Sequence, residues 1–300
     1  MKTLVVCGAT ASGKTGFAVD MSERLGGEVV SADCMLVYKG LNIGTAKPTP
    51  EEMRGIAHHM IDVAEPSQNY SVSDYEKGAE AVFSSLNARN IPAVVCGGTG
   101  FYIQSILFSR GLGGVPADED IRREYEQIAE ERGREYLHAM LREVDEESAE
   151  KLHPNDVKRV VRALEIYRLT GVKKSAQNDG FVPKRDYLAV AFDYPRAELY
   201  SRIERRMEVM LRQGLVDEVA GLYRSGIDET FQSMQGIGYK EVLLYLKNSI
   251  SYSTMSDMIK QNTRNYAKRQ ITFFKKLPNL KWLDPNVDNG KKIAELLYDR

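Results

Sequence analysis

Residues 8–15 read GATASGKT, directly behind an apolar run at residues 3–7 and directly ahead of a helical pattern. A strand, a glycine-rich turn and a helix in that order are the context a phosphate-binding loop requires. Glycines let the backbone bend so that its N–H groups line an anion cradle, and a helix starting near Gly13 points its positive end into that cradle. Lys14 adds a mobile positive charge, and the Thr15 hydroxyl is placed to ligate Mg2+. Gly8, Ala9, Thr10, Ala11, Ser12, Gly13, Lys14 and Thr15 are therefore candidate residues for binding a polyphosphate. The motif does not say what is done with the phosphates.

Further strand-like runs at residues 28–32, 59–63, 92–96, 187–192 and 281–283 alternate with helical patterns, which predicts a mainly parallel sheet covered by helices. The order breaks after residue 108, where a glycine-rich loop at 110–116 leads into a charged stretch of helical period up to about residue 184. We expect an α/β phosphate-loop core at 1–112 and 185–300, interrupted by an all-helical insertion at 113–184. Residues 199–222 read as one long amphipathic helix whose polar positions include Arg202, Arg205 and Arg206. One of these reaching over the loop would neutralise phosphate charge; a solvated arginine face fits the spacing equally well.

A chain of 300 residues with 43% hydrophobic content can bury a sizeable core. Met1 leads almost directly into the first strand-like run, so we expect neither signal peptide nor membrane span, and a place in the cytoplasm. Cys7, Cys34 and Cys96 suit small core residues in a reducing compartment better than a disulfide framework or zinc site.

The net charge of −1 conceals blocks. Residues 117–150 hold 13 acidic and 5 basic side chains, residues 151–174 hold 7 basic against 2 acidic, and residues 258–281 hold 7 basic and no acidic. Such blocks either form solvated helix faces or contact a phosphate backbone. Asn155 or Asp156 can cap a helix whose apolar stripe is Val157, Val160, Val161 and Leu164, leaving Lys158, Arg159 and Arg162 together on the opposite face. An anionic partner, or the acidic helices just upstream, would relieve that repulsion. Residues 263–276 interleave basic side chains with Tyr266, Phe273 and Phe274, for which core packing is the default.

In open α/β sheets ligands sit outside the carboxyl ends of the strands, so Asp33, which follows the second run, should overlook the phosphate loop. A carboxylate there can ligate Mg2+ through water, orient a hydroxyl or take a proton, or simply cap a helix. Residues 97–100, GGTG, occupy the equivalent place after the fourth run, with Thr99 as the polar side chain. His58 and His59 alternate faces on a strand with no third ligand nearby, which favours packing over metal binding.

With these residues in view the chain closely resembles the bacterial tRNA dimethylallyltransferases. The matching stretches are 8–15, 31–38, 43–48, 58–62, 70–72, 97–100 with 102–104, 153–167, 191–195, 235–241 and 266–270. The resemblance implies that the loop holds the diphosphate of dimethylallyl diphosphate with Mg2+, and that the acceptor is the exocyclic amine of the adenine 3′ of the anticodon, position 37, in a tRNA anticodon stem-loop. It implies Asp33 as general base, Arg206 with Lys14 on the diphosphate, and Thr15 on the metal. It further implies an RNA path along Asp33, Cys34, Met35, Leu36, Thr99, Arg122, Lys158, Arg159, Val160, Val161, Arg162, Gln235, Gly236, Ile237, Gly238, Tyr239, Lys240, Lys268, Arg269, Gln270 and Lys275. We expect a monomer. Ala9 stands where the family usually has proline, Cys34 for serine, Leu36 for glutamine and Phe273 for tryptophan. A small-molecule kinase and an adenylate dimethylallyltransferase are the rival activities, and a noncatalytic RNA-binding module would account for the basic blocks alone.

Overall fold

The computed structural model describes residues 2–109, 117–177 and 181–298. The glycine-rich loop anticipated at 110–116, and the end of the insertion around residue 180, lie outside the described residues. The strands are β1 (Thr3–Cys7), β2 (Glu28–Ser31), β3 (His58–His59), β4 (Ala93–Gly97), β5 (Phe108–Ser109), β6 (Val182–Pro183), β7 (Tyr187–Phe192) and β8 (Lys281–Leu283). Six of them form one sheet in the order β3-β2-β4-β1-β7-β8, and β5 pairs with β6. Every pairing in the large sheet is parallel.

Burial on both faces explains the apolar strands. Val5, Cys7, Val30, Val95, Ala189 and Ala191 belong to one core layer, and Leu4, Val6, Val29, Val94, Leu188 and Val190 to the other. Alternate residues thus serve opposite faces, both covered by helices, as parallel sheets require. The helices Lys14–Leu25 and Gly290–Tyr298 lie against the second layer through Ala18, Met21, Ile293 and Leu297.

Two expectations are corrected. The run expected as a strand at 59–63 pairs only at His58–His59, because Met60 (φ 63°) and Asp62 (φ 55°) turn the chain through left-handed conformations that no ladder accommodates. The long helix expected at 199–222 is two helices, Arg196–Arg212 and Leu215–Arg224, broken at Gly214 with φ 100°.

The chain divides into two compact units, residues 1–108 with 183–300, and residues 109–182. The second unit carries the helices Glu119–Arg132, Arg134–Val144, Glu146–Lys151 and Val157–Thr170. Its own core is built from Tyr125, Leu137, Leu141, Val160, Val161 and Leu164.

Candidate active site

The carboxyl ends of three neighbouring strands deliver the chemistry. β1 runs into the phosphate loop, β2 into Asp33 and β4 into Thr99, and the sheet order places these strands side by side. The direction of strand order reverses around β1 and β4, the crevice where open α/β sheets take their ligands. The three ends are also laced together. Ala32 N–H donates to the Cys96 carbonyl at 2.8 Å, Thr99 N–H to the Ala32 carbonyl at 3.1 Å, and Cys34 N–H to Thr99 Oγ1 at 2.9 Å. Gly97 has no alternative here, since a Cβ would stand 2.1 Å from the Ala32 oxygen.

The loop bends at Gly8 (φ 127°), Ala11 (φ 60°) and Gly13 (φ 81°) before the helix starts at Lys14. Lys14 Nζ donates to the Ala9 carbonyl at 3.0 Å, and Arg202 Nε donates to the Ala11 carbonyl at 2.8 Å while its guanidinium lies 4.7 Å from the Tyr194 ring centre. Thr10 N–H donates to Gln270 Oε1 at 2.8 Å, and Gln270 Nε2 donates to the Gly98 carbonyl at 2.9 Å. One side chain from the helix Tyr252–Phe274 therefore ties the phosphate loop to the turn after β4.

Alongside the loop lies a cleft of about 1130 Å3. Its polar wall includes Lys14, Thr15, Arg205 and Arg206, and Ile43, Ala46, Val209 and Met210 line it as apolar groups. Arg206 is half-buried, and among the described residues no hydrogen bond or ion pair engages its guanidinium. Burial presses its pKa down, against the pull of the Asp33 and Glu52 charges, and burial likewise lowers Lys14 against the charge of Asp33. Two cations facing one another in partial burial favour an anion between them.

Asp33 is half-buried, and its Oδ1 accepts from Met35 N–H at 2.9 Å, a local turn that orients the carboxylate without capping a helix. Its charge is felt by Lys14, Arg206 and the Tyr266 hydroxyl. Burial, with Asp33 next to it, pushes the Cys34 thiol up to about 11. Tyr266 reaches the same spot through Thr99 and Gln270, and burial raises its hydroxyl.

Of the residues expected along an RNA path, Met35 and Gly236 touch: a Cβ on Gly236 would lie 2.4 Å from Met35 Cε. The stretches 33–36 and 235–240 thus form one surface, with Leu36 and Ile237 half-buried and Gln235 and Lys240 accessible. Gly238 takes φ 97° and its N–H donates to Glu241 Oε2 at 2.7 Å. Lys268, Arg269 and Lys275 are exposed on the helix Tyr252–Phe274 and at its end.

Four expected contacts are corrected. Val160 and Val161 are buried in the core of the second unit and Tyr239 in that of the first, and the buried Gln270 is committed to Thr10 and Gly98, so none of these side chains faces outward. In the second unit Lys158 and Arg159 are exposed, with Arg159 3.1 Å from Asp156. Arg122 and Arg162 share the buried Glu165 at 3.0 and 2.5 Å. Arg162 thus has an acidic partner in its own helix.

Sequence reasoning missed Glu218. Its Oε2 accepts from Asn42 and Ile43 N–H at 2.9 and 2.7 Å, and its Oε1 from Gly44 N–H at 3.1 Å and the Tyr239 hydroxyl at 2.6 Å. It fixes the segment that supplies Ile43 to the cleft, and no local pattern around residue 218 announces that. His59 pairs with Glu28 at 2.6 Å, and no group of three His, Cys, Asp or Glu fit for a metal occurs among the described residues.

A family model described as IPP transferase matches residues 36–277. The chain belongs to the IPP transferase family. A tRNA dimethylallyltransferase of Caldanaerobacter subterraneus subsp. tengcongensis is 42% identical over 303 residues, covering 99% of this chain and 95% of that protein. The full-length tRNA isopentenylpyrophosphate transferase of Bacillus halodurans shares the structure with a TM-score of 0.73 at 40% identity, covering 99% of this chain and 94% of that one. A eukaryotic dimethylallyltransferase solved acting on tRNA gives a TM-score of 0.83 at 28% identity, over 98% of this chain and 77% of that one. The α/β fold is thus that of IPP transferases, and the stretch ahead of residue 36, with the phosphate loop and Asp33, falls within the span shared with these relatives. No helix among the described residues is long and apolar enough to cross a membrane.

Proposed function

We propose that the chain transfers the dimethylallyl group of dimethylallyl diphosphate to the N6 amine of adenine 37 in a tRNA anticodon loop. The reading rests above all on Arg206, a half-buried guanidinium without a protein partner among the described residues, facing the phosphate loop beside Lys14. The relatives named above as tRNA dimethylallyltransferases support it.

An adenine amine inside a base stack is out of reach and weakly nucleophilic, so the base is flipped out of the loop towards Asp33, at a cost of a few kcal/mol. The N6 lone pair forms a bond to the allylic carbon as that carbon's bond to the diphosphate oxygen breaks. The electron pair of that bond leaves with the diphosphate, and the N6 proton passes to the Asp33 carboxylate. Lys14, Arg206 and the loop's backbone N–H groups stabilise charge growing on the leaving group. The donor set fits Mg2+ held chiefly by substrate oxygens and water: the exposed Thr15 hydroxyl and the buried Ser12 hydroxyl, which has no hydrogen-bond partner among the described residues, stand at the loop. Mg2+ on Thr15 would neutralise diphosphate charge.

The exposed cations of both units, Lys158 and Arg159 in one and Lys268, Arg269 and Lys275 in the other, would hold the tRNA backbone. The three free cysteines suit the cytoplasm, where we take the protein to act as a monomer. The test is mass spectrometry of nucleosides from unmodified tRNA incubated with the protein, Mg2+ and dimethylallyl diphosphate. Gain of one prenyl group on adenosine is expected. Alkylation of free adenylate with tRNA untouched, or phosphate transfer from ATP to a small alcohol, would overturn the reading.

A further inference from the structure

One face of the helix Tyr252–Phe274 follows the turn after β4. Gln270 Nε2 donates to the Gly98 carbonyl at 2.9 Å, and a Cβ on Gly100 would fall 2.2 Å from the Phe273 ring. Ala267 shares a buried cluster with Ala9 and Ala11 of the phosphate loop. Tyr266 stands four residues before Gln270 and seven before Phe273, a spacing that puts all three on the face turned to residues 98–100. Tyr266 is half-buried, with the Arg269 guanidinium 5.8 Å from its ring centre. Its hydroxyl reaches Thr99 and Gln270 and feels the charge of Asp33 without bonding to it.

The bonds around that phenol oxygen decide which way its own proton goes. Thr99 Oγ1 accepts from Cys34 N–H at 2.9 Å, so the Thr99 proton is left to donate to Tyr266. Gln270 Oε1 accepts from Thr10 N–H at 2.8 Å and one Nε2 proton goes to Gly98, which leaves the second for Tyr266. A phenol oxygen that accepts from two neighbours keeps its own O–H to give. Tyr266 is thus a donor set beside Asp33, an acceptor. That pair complements the Watson–Crick edge of adenine, which offers N6–H and, next to it, the N1 lone pair; guanine and uracil present the reverse order. We propose that Tyr266 donates a hydrogen bond to N1 of the flipped adenine while Asp33 accepts from its N6, a contact that rejects guanine and uracil at the alkylated position. The inference rests on the tRNA reading given above.

The experiment sets the full chain and its Tyr266→Phe variant, with dimethylallyl diphosphate and Mg2+, against two synthetic anticodon stem-loop RNAs. One carries adenine at the target position, and the other 1-deazaadenine, which keeps the amine and replaces N1 by C–H. Tyr266→Phe should lose roughly tenfold in kcat/KM on the adenine RNA and far less on the 1-deazaadenine RNA, where the hydroxyl has no lone pair to meet. The two RNAs differ at one ring atom, so a substitution that only disturbed the packing of the helix would slow both alike. Equal losses on both RNAs, or no loss on the adenine RNA, would overturn the role of Tyr266 and leave the tRNA reading standing. If wild type alkylates neither RNA, both fall.

Discussion

Asp33 and Cys34 sit side by side yet are prepared for opposite tasks. Asp33 is oriented by the Met35 N–H and faces two cations, so it is positioned to take a proton. Asp33→Asn keeps the turn and removes the base; kcat should fall by about 10²- to 10⁴-fold while diphosphate and RNA affinities stay within a few-fold, measured in single-turnover and binding assays. Cys34, with its thiol pushed up to about 11 by burial and the adjacent carboxylate, is protonated at neutral pH and does not compete for the allylic carbon. Iodoacetamide should therefore label Cys34 at pH 7.5 far more slowly than a free cysteine, as peptide mass spectrometry would read. In the proposed reaction Arg206 would carry leaving-group charge, and Arg206→Ala should lower kcat/KM for the prenyl donor by about 10²-fold or more. The place of Asp33 was legible in the sequence because it lies at a strand's end, whereas spacing left Arg202, Arg205 and Arg206 open and only the family resemblance pointed to Arg206. What the sequence could not do was separate side chain from backbone: Val160, Val161 and Tyr239 fall inside the expected RNA stretches but point into cores.

At the scale of elements, the site is a matter of how closely strand ends approach. β2 and β4 come together at Gly97 so tightly that Gly97→Ala would force a Cβ against the Ala32 carbonyl. We expect a loss of about 3 kcal/mol in denaturant unfolding, with activity falling further than stability because Asp33 and Thr99 move apart. The segment at residues 42–44 depends in the same way on Glu218, whose carboxylate accepts three N–H groups and a hydroxyl. Glu218→Ala should raise the KM for the prenyl donor and cost about 1–3 kcal/mol in stability, measured by steady-state kinetics and thermal melts. The dependence on Glu218 was not visible in the sequence, since Glu218 and residue 42 are far apart along the chain and no period or motif links them. The strand edges were visible where apolar runs end in glycine or serine. They failed at residues 60–62, where left-handed backbone in Met60 and Asp62 overrides an apolar run.

Over the whole molecule, basic charge stands on two separately packed units, and the tRNA backbone would engage both. Affinity for tRNA should then fall steeply with salt. Lys158→Ala with Arg159→Ala, or Lys268→Ala with Arg269→Ala, should each flatten the slope of log K against log salt by roughly 0.7 for every phosphate that the variant no longer neutralises. An unchanged slope in either pair would mean that its unit presents a solvated face. The division into an α/β core and a helical segment was readable from the change of period after residue 108. The interior ion pairs of the second unit, Arg122 and Arg162 on Glu165, were not, because that carboxylate looks like any other charge in a helical stretch.

Gln270 reaches back across 260 positions to hold Thr10, and β8 closes the sheet only at residues 281–283. The phosphate loop is therefore synthesised 260 residues ahead of the side chain that secures it. A nascent chain that has emerged only as far as the second unit carries the whole sequence motif but lacks the brace that fixes it against Gly98. The brace arrives only when the helix Tyr252–Phe274 has been made, so a chain cut short before residue 270 would contain every residue of the phosphate loop and lack the side chain that ties it to Gly98.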